Sequence, residues 1–573
     1  MAGSGHFSNT PFNLLISHMQ PVLILGAGIN GAALARELIL NGIPVWIVDC
    51  RDIAAGASSR SSHLIHGGLR YLEYGEFDLV RESLAERRRL LRLAPQFVQP
   101  LELFIPVTAR FAGIAAAALK FLKLKRSANS PRRGLWLVQM GLWLYYKYAQ
   151  DNTIPRPRTL PADSPEAVPV DTRRYGWQCS YYDALVEYPE RFTLSFLEDA
   201  SAEAARQGID FRLWTYHEAR REDRRVQISR VGSDEVVAEV EPSCIVNATG
   251  ASVDETLKRL AIDSRQLMGG TKGSHLHTCK RELVEKLAGR GLYAEAADGR
   301  PVLILPWADG VLIGTTDLPY HGNPLEAVAS DDEIEYLVAT VNEVLGPGSL
   351  SRDDIDWHFC GVRPLPAADP RNPAAITRRH WLERNEAAPV PTFSVIGGKL
   401  TTCRSLAETS TAQVLEAIGC QVKTNSQERA LPGGFNYPDK AQVPAIQEQV
   451  AAKHGLSVDE VRAMWRLVGN RVDEILTEAA ACDLAETPVA ERVAGTMLPR
   501  RFARWVIRHE WVETLDDLVC RRLMVITLPN LKRETLEDLA ELMAAEGKLA
   551  GGTAQAVDET IATLQRYYGK RVS

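Results

Sequence analysis

Apolar and polar positions are most clearly patterned near the start of the chain. Val22–Leu25 is a run of four apolar residues, followed by Gly26, Gly28 and Gly31, then an Ala- and Leu-rich stretch to Leu40. The pair Asn41-Gly42 and a second apolar run, Val45–Val48, lead into Asp49. Short continuous apolar runs suit strands buried on both faces, and the stretch between them suits a helix stopped by Asn-Gly. The pattern therefore predicts strand, helix and strand, with an acid closing the second strand. Similar runs predict strands at Cys244–Asn247, 302–305, 311–313 and 393–396, while residues 211–240 read as strands joined by polar turns. Helical spacing marks Phe77–Leu93, 195–207 and 403–418. Residues 51–75, rich in Ser, Gly and His, read as an irregular loop that touches a ligand, and the Pro-rich residues 153–169 as a surface connection. From about residue 440 apolar positions recur every three or four residues, as in Val458–Val468 and 515–523, which predicts a separate helical C-terminal domain.

Composition narrows the class. The 573 residues are 45% hydrophobic and 24% charged, which excludes a mostly disordered or fibrous chain and predicts several domains. Lys and Arg total 66 against 72 Asp and Glu, so the net charge of −6 excludes a general polyanion or nucleic-acid binder. The nine cysteines include no CxxC pair, so neither a disulfide framework nor a zinc knuckle is supported. No metal is expected, and a reducing cytoplasm fits. No window reaches the roughly 18–20 uninterrupted apolar residues that cross a bilayer, so a soluble or peripherally attached protein is expected.

Three glycine-bearing junctions carry the chemistry. In Gly26-x-Gly28-x-x-Gly31 the first glycine permits the tight turn, the second lets backbone approach a pyrophosphate, and the third brings helix and sheet together. Asp49 then accepts hydrogen bonds from a ribose diol; spacing alone does not choose between NAD and FAD. The strand ending in Ala248-Thr249-Gly250 has the small residues needed to return beside that turn. Gly397-Gly398-Lys399-Leu400-Thr401-Thr402 places backbone N–H groups at a helix start, where they would stabilise the negative charge of a reduced flavin; an ordinary strand–turn–helix junction is the alternative. Arg70, Arg363, Arg378 and Lys399 all sit at loop or strand ends beside Gly or Pro, placed to clamp a phosphate dianion if they converge. A basic stretch with Lys120, Lys123, Lys125, Arg126, Arg132 and Arg133 precedes Trp136, Trp143, Tyr145, Tyr146 and Tyr148, the composition of a membrane-interface surface.

The segments GAGINGAALA, SSRSSHLIHGGLRYLE, GTTD (314–317), GVRPL, AITR and GGKLTT, in this order, resemble the FAD-dependent, quinone-linked glycerol-3-phosphate dehydrogenases. The resemblance runs from about residue 21 to 432, and the helical end resembles the family's C-terminal cap. It implies an α/β fold: a Rossmann-like FAD-binding domain of the glutathione-reductase and D-amino-acid-oxidase kind, interleaved with an antiparallel substrate sheet over 21–435. A helical domain at 436–573 and an N-terminal extension at 1–20 complete the expected organisation. The implied reaction is oxidation of sn-glycerol 3-phosphate to dihydroxyacetone phosphate by hydride transfer to FAD, with membrane quinone as acceptor. The implied location is the cytoplasmic face of the membrane, and a homodimer is a family expectation.

By the same resemblance Arg70, Tyr71, Arg363, Arg378 and Lys399 line the substrate pocket. His275 is the expected base, Arg363 stabilises the developing alkoxide, and Lys399 shares the catalytic set. Gly26, Ala27, Gly28, Asn30, Gly31, Asp49, Ser58, Ser59, His66, Gly67, Gly68, Ala248, Thr249, Gly250, Gly398, Leu400 and Thr401 are expected to hold the cofactor. The chain departs from the family at His63, where Lys is usual, after Tyr182-Asp183, and at Leu276-His277-Thr278, where β-branched residues are usual. These departures leave FAD binding intact and admit a longer polyol phosphate, such as a tetritol phosphate. An oxidase that reduces O2 and a flavin-stabilised membrane protein without turnover are the competing expectations.

Overall fold

The computed structural model describes residues 19–73, 75–108, 134–151, 154–367, 379–549 and 551–573. Its first layer is a six-stranded sheet. β1 (Val22–Leu25) lies inside it, parallel to β2 (Val45–Val48) on one side and to the strand Cys244–Asn247 on the other. Thr392–Ile396 and Phe211–Trp214 extend it in parallel, and Trp381–Arg384 closes one edge antiparallel.

Side-chain alternation explains why the strands are apolar throughout. Val22, Ile24, Val45 and Ile47 pack toward helices, among them α1 (Ile29–Leu40) and the helix Pro189–Gln207. Leu23, Leu25, Trp46 and Val48 pack against a three-stranded antiparallel sheet and the helix Val253–Arg259. With both faces covered, a polar residue has nowhere to meet water.

The second large sheet has ten strands. Its long members are Val98–Val107, Trp177–Val186, Met268–Thr278 and Trp357–Pro366. Met268–Thr278 pairs antiparallel with Trp357–Pro366, setting His275 opposite Phe359, and with Gly310–Gly314, setting His275 beside Gly314. The helix Asp331–Leu345, capped by Ser330 and Glu333, covers one face through Ile334, Leu337 and Val341. Helices from Val443–His454 to Thr553–Tyr568 follow as a continuous apolar-cored bundle.

Several expectations shift by small amounts. The strands expected at 302–305 and 311–313 run Pro301–Trp307 and Gly310–Gly314. The helix expected from 195 starts at Pro189, because proline suits the first helical turn. Within residues 51–75 the strand Leu64–Ile65 and the short helix Leu69–Glu73 form, and Arg158–Pro161 is a strand inside the Pro-rich connection. The segment 515–523 is a short helix, Leu515–Asp517, continued by a π turn at Leu518–Arg522. The basic stretch from Lys120 to Arg133, the AITR segment with Arg378, and most of the N-terminal extension lie outside the described residues.

Candidate functional site

The glycine loop after β1 is built to let something approach the backbone. Gly26 has φ +104°, and a Cβ there would lie 2.7 Å from the Ala248 carbonyl oxygen. A Cβ on Gly31 would lie 2.0 Å from the Gly26 carbonyl oxygen, so α1 touches the loop only through glycine. Ser58 Oγ accepts from the Ile29 N–H at 2.9 Å, and the Asn30 amide oxygen is buried with no partner in the protein. Asn30 lines a cleft of about 1310 Å³ together with Gly26, Gly28, Asp49, Ser58 and Thr249. A small-residue turn, a helix N-terminus and an acid after β2 fit the pyrophosphate and ribose of a dinucleotide.

Asp49 accepts from the Ala27 N–H at 2.7 Å and from the Arg51 N–H at 2.9 Å, and burial pushes its carboxyl up to about 6. A ribose hydroxyl donates to the ionised form, so protonation replaces an acceptor with a donor. Affinity for FAD is accordingly expected to fall by about threefold to tenfold as pH drops from roughly 7 to 5. Flavin fluorescence on dilution measures this; an Asp49→Asn variant is expected to lose the pH dependence.

The cleft continues to the second glycine loop. Gly397 and Gly398 have φ +73° and +95°, and a Cβ on Gly398 would lie 2.4 Å from Asn30 Nδ2. Gly398, Lys399, Leu400 and Thr401 line the cleft, and the His66 N–H donates to Thr401 Oγ1 at 3.2 Å. Behind His66, the Gly67 N–H donates to Tyr145 Oη at 2.7 Å, and that hydroxyl donates to Asp183 Oδ1 at 2.6 Å. Arg87 closes the chain by donating to Asp183 at 2.8 Å. Tyr145 therefore does not belong to the exposed aromatic surface expected of it: it is 3% exposed and holds the loop. Sequence reasoning missed the Arg87–Asp183–Tyr145 support, because its members lie far apart in the chain.

Arg363, Lys399, Tyr71 and His275 open on the same cleft. Arg363 donates to Asp317 Oδ1 at 2.8 Å, and to Thr315 Oγ1 and the Thr316 carbonyl at 3.0 Å each. A Cβ on Gly273 would lie 2.3 Å from the guanidinium, so glycine makes room for it. Lys399 Nζ sits 4.5 Å from the centre of the Tyr71 ring and donates to Ser83 Oγ at 3.2 Å. His275 Nε2 shares a hydrogen bond of 2.8 Å with Ser62 Oγ, and its ring lies near-parallel to Phe359 at 4.9 Å. Burial, reinforced by the Arg363 charge, holds the imidazole well below its usual range and therefore neutral. His63 is buried against Trp307 and pushed down to about 4 by burial, so it too is uncharged.

Of the other residues expected here, His66, Gly68, Ala248, Thr249 and Gly250 line the cleft. Ala27 and Gly31 stand behind it as packing for the first loop, Gly67 is tied to Tyr145, and Ser59 Oγ turns to the Gly56 carbonyl. Arg378 lies outside the described residues; of Arg70 only the backbone, within Leu69–Glu73, is described. Arg300, His321 and Asn323 also line the cleft, from loops with no recognisable motif.

The model of the FAD dependent oxidoreductase family matches residues 21–404, and the C-terminal domain of alpha-glycerophosphate oxidase matches residues 424–551. A glycerol-3-phosphate dehydrogenase of Synechocystis sp. is 33% identical over 538 residues, covering 89% of both chains. The D-erythritol 1-phosphate dehydrogenase of Brucella abortus is 30% identical, covering 87% of this chain and 93% of its own. The solved glycerol-3-phosphate dehydrogenase of Bacillus halodurans, complexed with FAD, superposes with a TM-score of 0.70 at 20% identity over 97% of this chain and 96% of its own. That structure shares the fold: a Rossmann-like FAD-binding part, a substrate sheet and a helical C-terminal part. Its cofactor is FAD, the fold and the family model agree, and the chain belongs to the FAD-dependent glycerol-3-phosphate dehydrogenase and oxidase family.

Proposed function

We propose that the protein oxidises sn-glycerol 3-phosphate to dihydroxyacetone phosphate and delivers the electrons to membrane quinone. The observation that carries this reading is that Arg363, Lys399 and a neutral His275 open on the cleft that also holds both glycine loops. Bound FAD supplies the two-electron acceptor for the hydrogen leaving C2. Gly26, Gly28, Asn30, Asp49, Ser58, Ala248, Thr249 and Gly250 hold its pyrophosphate and ribose, with Gly31 packing behind the first loop, while His66, Gly68, Gly398, Leu400 and Thr401 form the other end. The substrate phosphate replaces Asp317 as counter-ion of Arg363 and meets Lys399 beside Tyr71, and the family resemblance adds Arg70 and Arg378 to the set that grips it. The neutral imidazole of His275 takes the C2 hydroxyl proton, and Arg363 stabilises the negative charge that develops. Anaerobic titration tests the reading: millimolar sn-glycerol 3-phosphate is expected to bleach the flavin absorbance, and an unchanged spectrum sinks it.

The 30% identity to a D-erythritol 1-phosphate dehydrogenase supports a second reading, a four-carbon polyol phosphate in the same clamp. A screen of polyol phosphates with an artificial acceptor separates the two by kcat/KM. Stoichiometric peroxide in aerobic turnover marks O2 instead of quinone as acceptor.

Peripheral membrane attachment rests on the helix Leu135–Ala149. Trp136, Met140 and Trp143 share one face and are 53–59% exposed, while Leu135, Val138, Leu142 and Tyr145 face inward. Among the described residues no helix is long and apolar enough to cross a membrane. Replacing Trp136 and Trp143 together with Ser is expected to weaken co-sedimentation with anionic vesicles by on the order of a hundredfold.

A further inference from the structure

The departure at Leu276-His277-Thr278 leads away from the cleft. Strand pairing sets His277 opposite Trp357, and the Asp356 N–H donates to the His277 carbonyl at 3.0 Å. Cys279, two residues along from His277, donates its N–H to Asp356 Oδ2 at 2.5 Å. These adjoining strand ends gather an imidazole, a thiol and a carboxylate whose ligand atoms all lie within 4.8 Å of one another.

His277 supplies a second and independent observation. It is fully buried, and neither ring nitrogen makes a hydrogen bond of good geometry, the Trp307 backbone being its one polar neighbour at bonding range among the described residues. Trp307 and Trp357 stand 5.3 Å from its ring, centre to centre, and a Cβ on Gly310 would lie 2.6 Å from Nε2. An imidazole sealed among tryptophans with no well-formed hydrogen bond is costly, and a valine or isoleucine would fill the strand position without that cost.

We propose that His277, Cys279 and Asp356 bind one divalent transition-metal ion of zinc's character, with water as the fourth ligand. Nitrogen, thiolate and carboxylate donors in a tetrahedral set suit zinc and its neighbours, and not calcium or magnesium, which take oxygen alone. Binding deprotonates Cys279, and the proton leaves to solvent. Lys570 is the competing cation: its ammonium group, which donates to the Leu528 carbonyl, faces His277, Cys279 and Asp356, while Asp309 faces His277 with the opposite charge. The ion ties together the ends of the two strands that carry His275 and Phe359, so its role is to hold that wall in place. This proposal stands apart from the choice of substrate.

The test uses the full-length flavin-loaded protein, equilibrated with micromolar Zn²⁺ and desalted. About one equivalent of zinc is expected to remain, and its X-ray absorption fine structure is expected to contain one sulfur scatterer at about 2.3 Å with nitrogen and oxygen at about 2.0–2.1 Å. Cys279→Ser, at a partly exposed position, is expected to retain FAD while weakening zinc affinity by about tenfold or more in competition with a chromophoric chelator. Lys570→Met is expected to strengthen it. The proposal is overturned if the wild-type protein retains no zinc, if no sulfur scatterer is found, or if Cys279→Ser binds as tightly as wild type.

Discussion

Arg363→Ala is expected to lower kcat/KM for sn-glycerol 3-phosphate by roughly 10²–10³-fold, because a charged partner of a buried anion is worth about 3–4 kcal/mol. The loss should fall on substrate and not on cofactor. Arg363 projects from Trp357–Pro366 onto Asp317, Thr315 and the Thr316 carbonyl. FAD content and the melting temperature are therefore expected to stay near wild type, helped by Asp317, whose side chain is 45% exposed and can be hydrated once abandoned. Arg363→Lys should recover only part of the activity, since an ammonium lacks the guanidinium fork that grips two phosphate oxygens. Steady-state kinetics with a dye acceptor, read beside flavin content, decides the matter. A variant within about threefold of wild type would remove the residue from the reaction.

The second large effect is expected at Asp52, remote from the substrate. Asp52 follows Asp49 in the loop that lines the cleft, and its carboxylate is completely buried. Arg521 Nε donates to it at 2.5 Å, and Arg522 grips both oxygens at 2.7 and 2.9 Å. The same arginines bond Asp517 and the Glu510 carbonyl, so the helical domain is pinned to the cofactor loop through one carboxylate. Asp52→Ala leaves two guanidinium groups buried beside the loop and is expected to cost about 3–5 kcal/mol of stability. A melting transition lower by about 3–4 °C should follow in a chain of 573 residues, with release of FAD on gel filtration. Removing one matched pair, as Asp52→Leu with Arg522→Met, should restore part of the stability, because Arg521 keeps Asp517 as its counter-ion. The penalty comes from stranded charge and not from the loss of attraction. Calorimetry that finds Asp52→Ala unchanged would dismiss the clamp.

The two predictions differ in how visible their residues are in the chain. Arg363 stands out because it lies in Gly361-Val362-Arg363-Pro364, close to Gly and Pro and away from the charged helix surfaces. Asp52 and the Asp516-to-Arg522 segment read as ordinary charged stretches, and only their burial against each other reveals the role. Tyr145 illustrates the same limit more sharply. Its neighbours Trp136 and Trp143 are exposed while it is buried, since helical positions two apart face different directions. Composition along the stretch cannot separate them, whereas the helix phase does.

The long strands of the second sheet were hidden for a related reason. Met268–Thr278 and Trp357–Pro366 mix glycine, histidine and arginine with apolar residues, because one stretch of each lines the cleft and another enters the core. Their polar residues break the alternation by which strands are recognised.

Sequence alone determined the β1–α1–β2 unit, its closing acid and the helical character of the end, because each depends on contacts within a few dozen residues. Backbone demands at Gly26 and Gly31 are local too: there a side chain would strike the neighbouring loop. Tertiary structure decided that Arg363 and Lys399 line one cleft, that His275 is neutral, and that Asp52 bonds arginines some 470 residues further along. Those properties arise from desolvation and charge pairing between segments distant in the chain, and burial is a property of the folded whole that no stretch of residues carries by itself.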